Sequence, residues 1–365
     1  MTEVRERATA MFEILAVLHL HKFDLGQRNE SSPQMDRAFS QLRKMSPEEW
    51  AAFLNFAEVQ RVRLRTLRLL DEFGVPFEGL QDLIHDEERQ IGNTLEMLDR
   101  IVRTLESTGH SPLVIKTLDH WPDIGSDLDL FISASERDVV RVMCSEMQAK
   151  LEPQSWGDRL AHKWNFRIPG LSRLVEIHVG CLGQTGEQDV LPVHLEATSV
   201  TRDIGPYRFR VPTPEVQVAL ATLQRMYRHF YIRLTDLVNL TMLVRAGCLD
   251  FTLPRYSAER WGIWPGVATL LKISSDYNER LGVGPLPLPE FVVGAALFGA
   301  DATYVGEQFL RVPMVPQGAQ LFLQQLIATG TARRFRAAAR LFLLPALAAA
   351  AYVNLRITGD DKGIW

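Results

Sequence analysis

Residues 122–132 read Pro122-Asp123-Ile124-Gly125-Ser126-Asp127-Leu128-Asp129-Leu130-Phe131-Ile132. Side chains alternate between the two faces of a β-strand, so Asp127 and Asp129 project together from one face while Leu128 and Leu130 enter a core. Two neighbouring carboxylates repel, and one tends to take up a proton unless a cation lies close. A divalent metal removes that penalty. Magnesium, or manganese in its place, takes one or two carboxylates together with phosphate oxygens. The preceding turn supports a phosphate partner, because Gly125 permits close backbone approach and Ser126 adds a hydroxyl donor. The plain alternative is that both aspartates form the solvated face of an edge strand.

Three further short runs have strand character: 113–117, 163–168 and 174–179. On 174–179 the same alternation puts Glu176 and His178 on one face, so pairing with the 127–132 strand would bring a third carboxylate. Three carboxylates can hold two metals, one at the attacking oxygen and one at the leaving group. Lys116 is a charge on a largely apolar strand, facing either a triphosphate or solvent. A helix is predicted over 136–151. Asp119, His120 and Asp123, between the first two strands, rim the site or form an exposed polar loop.

Helical spacing dominates from Thr2 to about Leu105 and again after Thr213. Ser46 followed by Pro47, Glu48 and Glu49 is a helix start, and the helix is expected to run to about Phe73, where Gly74-Val75-Pro76 ends it. Arg61, Arg65 and Arg68 would share one face of it, either binding phosphate or simply solvated. Helices are also expected from Pro214 to about Phe230 and from about Arg233 to Arg245, with Arg233 and Asp236 paired on one face. Residues 282–289 read as a connection.

Across 365 residues, 46% hydrophobic content supplies more than one core's worth of apolar surface. Forty basic against 44 acidic residues leave no global attraction to nucleic acid or an acidic membrane, so nucleic acid is not favoured as a partner. Three separated cysteines form neither a disulfide framework nor a zinc pattern, and the first 23 residues do not read as a signal peptide, so a cytoplasmic location is expected. The stretch 341–353 is apolar but shorter than the roughly 20 residues of a membrane span. It suits a buried helix, one lying in a membrane surface with Arg333, Arg334, Arg336 and Arg340 at the headgroups, or as the least favoured reading a true span, and Pro345 would kink any of them. Peripheral membrane contact through 333–353 is therefore a second possible partnership.

The ordered set GSDLDLFI (125–132) and VEIHVG (175–180) resembles the DNA polymerase β-type nucleotidyltransferase superfamily. With Lys116 on the preceding strand and the helical stretch 211–240, carrying Tyr227, His229, Arg233 and Asp236, the chain is most similar to an uncharacterised bacterial nucleotidyltransferase family. Where that family usually has glycine after the strand lysine, this chain has Thr117. The resemblance covers about 112–245. It implies an α/β architecture: a small mixed-sheet catalytic core at 108–205, flanked by an N-terminal helical region (1–107) and a C-terminal helical region (206–365). It further implies transfer of a nucleoside monophosphate from a triphosphate such as ATP to an acceptor, with Asp127, Asp129 and Glu176 holding Mg2+ or Mn2+, or with Glu176 acting instead as base towards the acceptor. Gly125, Ser126, Lys116 and His178 would contact the nucleotide. No matched residue names the acceptor, which is expected to be a small molecule. A toxin-like enzyme modifying RNA or protein, and a catalytically inactive binding module, use the same core.

Overall fold

The structure is a computed structural model that describes residues 2–22, 32–188 and 190–358. Part of the expected N-terminal helical stretch, residues 23–31, lies outside them. The chain is a mixed α/β protein in which a small mixed sheet is flanked by helices.

Five helices precede the sheet: α1 (Thr2–His21), α2 (Pro33–Leu42), α3 (Pro47–Val59), α4 (Arg63–Glu72) and α5 (Leu80–Ser107). Helix α3 starts as its sequence dictates, with the Ser46 hydroxyl accepting from the Glu49 amide while the Glu49 carboxylate accepts from the Ser46 amide. The single helix expected over 47–73 is instead two. Arg61 takes the left-handed conformation (φ 58°), its amide donates to Glu58 O, and the Val62 amide donates to Ala57 O, closing a full Schellman stop without a glycine. Gly74 (φ 60°) ends α4 with the same pattern, Gly74 to Asp71 O and Val75 to Leu70 O. Helix α5 buries Ile84, Ile91, Leu95, Leu98 and Val102, a three-and-four spacing that gives one apolar stripe.

The sheet contains β1 (Leu113–Val114), β2 (Asp127–Ile132), β3 (Lys150–Leu151), β4 (Lys163–Arg167) and β5 (Leu174–Val179), in the order β1-β2-β5-β4-β3. β2 and β5 run parallel, and the other pairs are antiparallel. Leu128, Leu130, Val175 and Ile177 are fully buried on one face. The expected strand 113–117 is shorter than its pattern, because Lys116 turns left-handed (φ 59°) and takes the chain out of the ladder. Between β2 and β3, α6 (Glu136–Glu146) is also shorter than expected. Gln148 (φ 52°) bends the chain, so Lys150 and Leu151 form the sheet edge rather than the helix end.

After a short helix α7 (Trp156–Leu160), between β3 and β4, and α8 (Leu191–Thr198), after β5, comes a hairpin, β6 (Val200–Ile204) with β7 (Tyr207–Val211), that sequence reasoning missed. It straddles the expected boundary at 205. Helix α9 (Pro214–Thr222) continues into a π-helical turn (Leu223–His229) that Phe230 ends at φ 52°. Strand β8 (Tyr231–Ile232), helices α10 (Leu234–Arg245), α11 (Thr252–Trp261), α12 (Trp264–Arg280) and α13 (Glu290–Val293), and strands β9 (Tyr304–Val305) and β10 (Leu310–Arg311) follow. β8, β10 and β9 make a second small sheet inside the region read as helical. Residues 282–289 carry no helix or strand, as a connection should.

The chain closes with α14 (Ala319–Thr331), α15 (Phe335–Leu341) and α16 (Leu343–Thr358). No helix among the described residues is long and apolar enough to cross a membrane. The break in the 333–353 stretch falls at Phe342, so Pro345 sits in the first turn of α16, where proline is tolerated, rather than kinking a longer helix. Arg340 donates to Gly186 O at 2.7 Å and Arg334 to Arg260 O at 2.8 Å, so these two cations meet the protein's own carbonyls.

Candidate functional site

Parallel pairing of β2 with β5 puts Asp129 directly beside Glu176 and Phe131 beside His178. The alternation read from the sequence then brings Asp127, Asp129, Glu176 and His178 onto one face of the sheet. Antiparallel pairing of β4 with β5 adds Lys163, which lies opposite His178. From the other side, the Ile115 amide donates to Asp129 O at 3.0 Å, and beyond it the Thr117 hydroxyl takes over the ladder by accepting the Asp129 amide at 2.7 Å. The left-handed backbone of Lys116 between them costs about 1–3 kcal/mol and sends its ammonium over the carboxylates.

The ammonium of Lys116 donates to Asp129 Oδ1 and stands 3.5 Å from His178 Nε2 and 3.7 Å from Glu176 Oε1. Lys163 lies 2.9 Å from Glu176 Oε2 and 2.8 Å from Asp158. His178 Nε2 is 2.9 Å from Glu176 Oε1 and 3.8 Å from Asp129 Oδ1. Burial raises the Glu176 pKa, but Lys163, the His178 hydrogen bond and Lys116 together outweigh it and hold the carboxyl well below the usual range. Ligand atoms of Asp129, Glu176 and His178 all lie within 4.8 Å of one another, a group able to hold a metal ion.

Asp127 is not part of that three-residue group. Its carboxylate accepts from the Ser126 hydroxyl at 3.0 Å, and burial, then the charges of Asp129 and Glu176, raise its pKa. Gly125 O accepts from Arg173 Nε at 2.8 Å, which fixes the turn before β2. His178, which the resemblance assigns to the nucleotide, lies inside the group.

The loop between β1 and β2 is not an exposed rim at Asp123, which is 5% exposed. The Asp123 carboxylate accepts the Leu64 amide at 2.7 Å, capping α4 from outside, and lies 3.3 Å from Arg65. Arg65 donates to the carbonyls of His120 and Trp121 and, at 3.0 Å, to Asn239 on α10. The expected solvated arginine face therefore does not exist. Arg65 is a half-buried clamp, Arg68 pairs outside with Glu88, and Arg61 sits in the helix break beside Glu58. Arg233 and Asp236 do not form the expected side-chain pair either. Asp236 accepts the Arg233 amide at 2.7 Å and lies 2.7 Å from the buried Arg225.

Lys163, Arg225, Arg228 and Arg202 were not singled out from sequence. Register could have found Lys163, since its strand neighbour is His178, but register is set only when the strands pair. Two cavities flank the group. One, about 320 Å³, includes Lys163, Arg167, His178 and Arg228 in its wall. The other, about 300 Å³, includes Lys116, Asp119 and Arg202 in its wall.

Burial, reinforced by Asp129 and Asp236 against Arg202 and Lys116, raises the Asp119 pKa from 3.8 to about 7. A carboxyl whose folded pKa is raised stabilises the protein fully below its unfolded pKa, and the contribution is lost as pH rises through the folded one. Wild type should therefore lose more melting temperature between pH 5 and pH 8 than Asp119→Asn. Parallel melting curves for the two proteins across that interval would contradict the assignment.

Comparison of the sequence with known protein families and with curated proteins yields no match.

Proposed function

We propose that this chain is a metal-dependent nucleotidyltransferase that moves a nucleoside monophosphate from a nucleoside triphosphate, ATP among the candidates, to a small-molecule acceptor. The observation that supports it most is the pairing of Asp129 with Glu176 across two parallel strands, with His178 beside them. Two carboxylates and an imidazole are a fit donor set for a divalent cation. The imidazole moves the preference from Mg2+ towards Mn2+, because Mg2+ favours oxygen ligands. With Asp127 outside the group, the described residues suit one ion there rather than two.

A bound ion would stabilise charge on the transferring phosphoryl group and favour ionisation of the attacking oxygen. Lys163 keeps Glu176 ionised and oriented. Lys116 neutralises Asp129 in the absence of another cation, and its short reach across the group lets it offer the same charge to a phosphate oxygen. Arg228 lines the cavity on the His178 side and adds a second cation for the triphosphate. Ser126 is exposed at the start of β2 but donates its hydroxyl to Asp127, so it would meet a phosphate only by releasing that bond.

One observation favours the rival of an inactive binding module: Lys116 already occupies Asp129. Calorimetry with Mn2+ and ATP separates the two. Replacing Lys116 by Met removes an internal competitor, so the enzyme reading expects tighter metal binding by about tenfold, the effect of about 1.4 kcal/mol, with transfer reduced at least as much. No metal binding by either protein would leave the binding module. The accompanying assay is incubation with each α-labelled triphosphate, Mn2+ and fractionated lysate. Label recovered on RNA or protein rather than small molecules would replace the acceptor assignment with the toxin-like one.

A further inference from the structure

The 300 Å³ cavity lined by Lys116 lies between the β6–β7 hairpin and helices α9 and α10. Its size is at the lower end of small-molecule pockets. Most of its wall is apolar, with Val211, Val218, Ala221, Leu240 and Leu243 contributing from the hairpin and both helices. Its polar lining includes Lys116, Asp119, Arg202, Gln217, Asp236 and Asn239. Lys116 also lines the narrow gap that includes His178, so the cavity meets the metal-ligating group at this lysine.

Resting on the nucleotidyltransferase reading, we infer that this cavity is the acceptor site, that it takes a small neutral alcohol with an apolar body, and that Asp119 receives the hydroxyl proton.

Charge separates the two cavities. A triphosphate needs several cations, and the cavity on the His178 side brings three: Lys163, shared with Glu176 and Asp158, Arg167, paired with Glu152, and Arg228, which forms no ion pair among the described residues. In the apolar cavity the two cations are already engaged, Lys116 by Asp129 and Arg202 by Leu118 O at 2.9 Å. Asp119 differs from the other carboxylates near the site. Asp123 is used by Leu64 and Arg65, and Asp236 by Arg225 and the Arg233 amide. The Asp119 carboxylate accepts no hydrogen bond from the described residues, although its own carbonyl is held by Asn239 at 2.6 Å. Asp119 is half-buried, and an O–H group from the cavity would supply the donor its carboxylate lacks. An ammonium would satisfy Asp119 equally, but it would also enter a largely apolar wall and face Lys116 and Arg202. A neutral hydroxyl carries a smaller desolvation cost.

In the transfer, the alcohol oxygen forms a bond to the α-phosphorus using its lone pair. The bond from that phosphorus to the bridging oxygen breaks, and pyrophosphate leaves with the electron pair. The hydroxyl proton passes to Asp119. The products are a phosphodiester joining the alcohol to the nucleoside monophosphate, and pyrophosphate.

The probes are 3-phenylpropan-1-ol, its amine analogue 3-phenylpropan-1-amine, and propylbenzene, each added to the full chain with Mn2+ and α-labelled triphosphate. Two variants fill the cavity from different helices, Ala221→Phe from α9 and Leu243→Trp from α10, so a folding failure of one leaves the other. Calorimetry should show alcohol binding to wild type and at least tenfold weaker binding to the folded filled variants, with metal-dependent triphosphate binding kept within twofold. Asp119→Asn should keep triphosphate binding and lose labelling of the alcohol by about a hundredfold or more, the scale of a lost proton acceptor. Alcohol binding unaffected by filling, or labelling of the amine but not of the alcohol, would overturn the inference. Loss of triphosphate binding in wild type would instead sink the nucleotidyltransferase reading, with alcohol binding still reporting whether the cavity is a site.

Discussion

Glu176→Gln is expected to fold like wild type and to lose nucleotidyl transfer by a factor of at least about a hundred. The substitution keeps the size of the side chain and its place beside Asp129 on the parallel strand. It removes the charge that Lys163 and Lys116 hold in the ionised form. Lys163 keeps Asp158 as a partner at 2.8 Å, so no uncompensated buried cation results and the fold has reason to survive. The measurement is single-turnover transfer with saturating triphosphate and acceptor, beside a thermal melt. A folded variant with near wild-type transfer would show that Glu176 neither holds a metal nor touches the reacting groups.

Asp236→Ala is expected to cost about 3–5 kcal/mol of stability, the scale for removing one partner of a buried ion pair. Arg225 of the π-helical turn, 1% exposed, and Asp236, 5% exposed, are paired at 2.7 Å. The aspartate also accepts the Arg233 amide at the start of α10, so the substitution removes a helix cap as well. Burial and the neighbouring Arg225 already lower the pKa of Arg233 to about 10, and without Asp236 these crowded guanidiniums would lose a compensating charge. Denaturant unfolding measures the loss, and Asp236→Asn, which can still accept the amide, should recover part of it. A loss below about 1 kcal/mol for the alanine variant would mean that water or another group satisfies Arg225.

Strand alternation carries much of the candidate site in its local sequence. The pattern of Asp127, Leu128, Asp129 and Leu130, and that of Val175, Glu176, Ile177 and His178, each separate a polar face from a core face within one strand, so period alone fixes which side chains travel together. Helix starts were legible for the same reason: Ser46, Pro47 and Glu49 act on amides within one turn of themselves. The stop at Arg61 was not, because a left-handed residue without glycine is tolerated only where surrounding packing compensates its strain.

What lies across the chain needed tertiary structure. Asp127 and Asp129 look equivalent in sequence, yet only Asp129 joins Glu176 and His178, because the turn at Lys116 and the β2–β5 register select it. Asp123 and Asp119 share one loop, but Asp123 caps and pairs with α4 while Asp119 faces a cavity closed by a hairpin and two later helices. The sequence by itself determined the faces of the strands, the boundaries set by local caps and glycines, and the residue types gathered for chemistry. The tertiary structure decided which carboxylates act together, which arginines act as clamps, and where a ligand has room, since each depends on contacts between segments whose local patterns carry no information about one another.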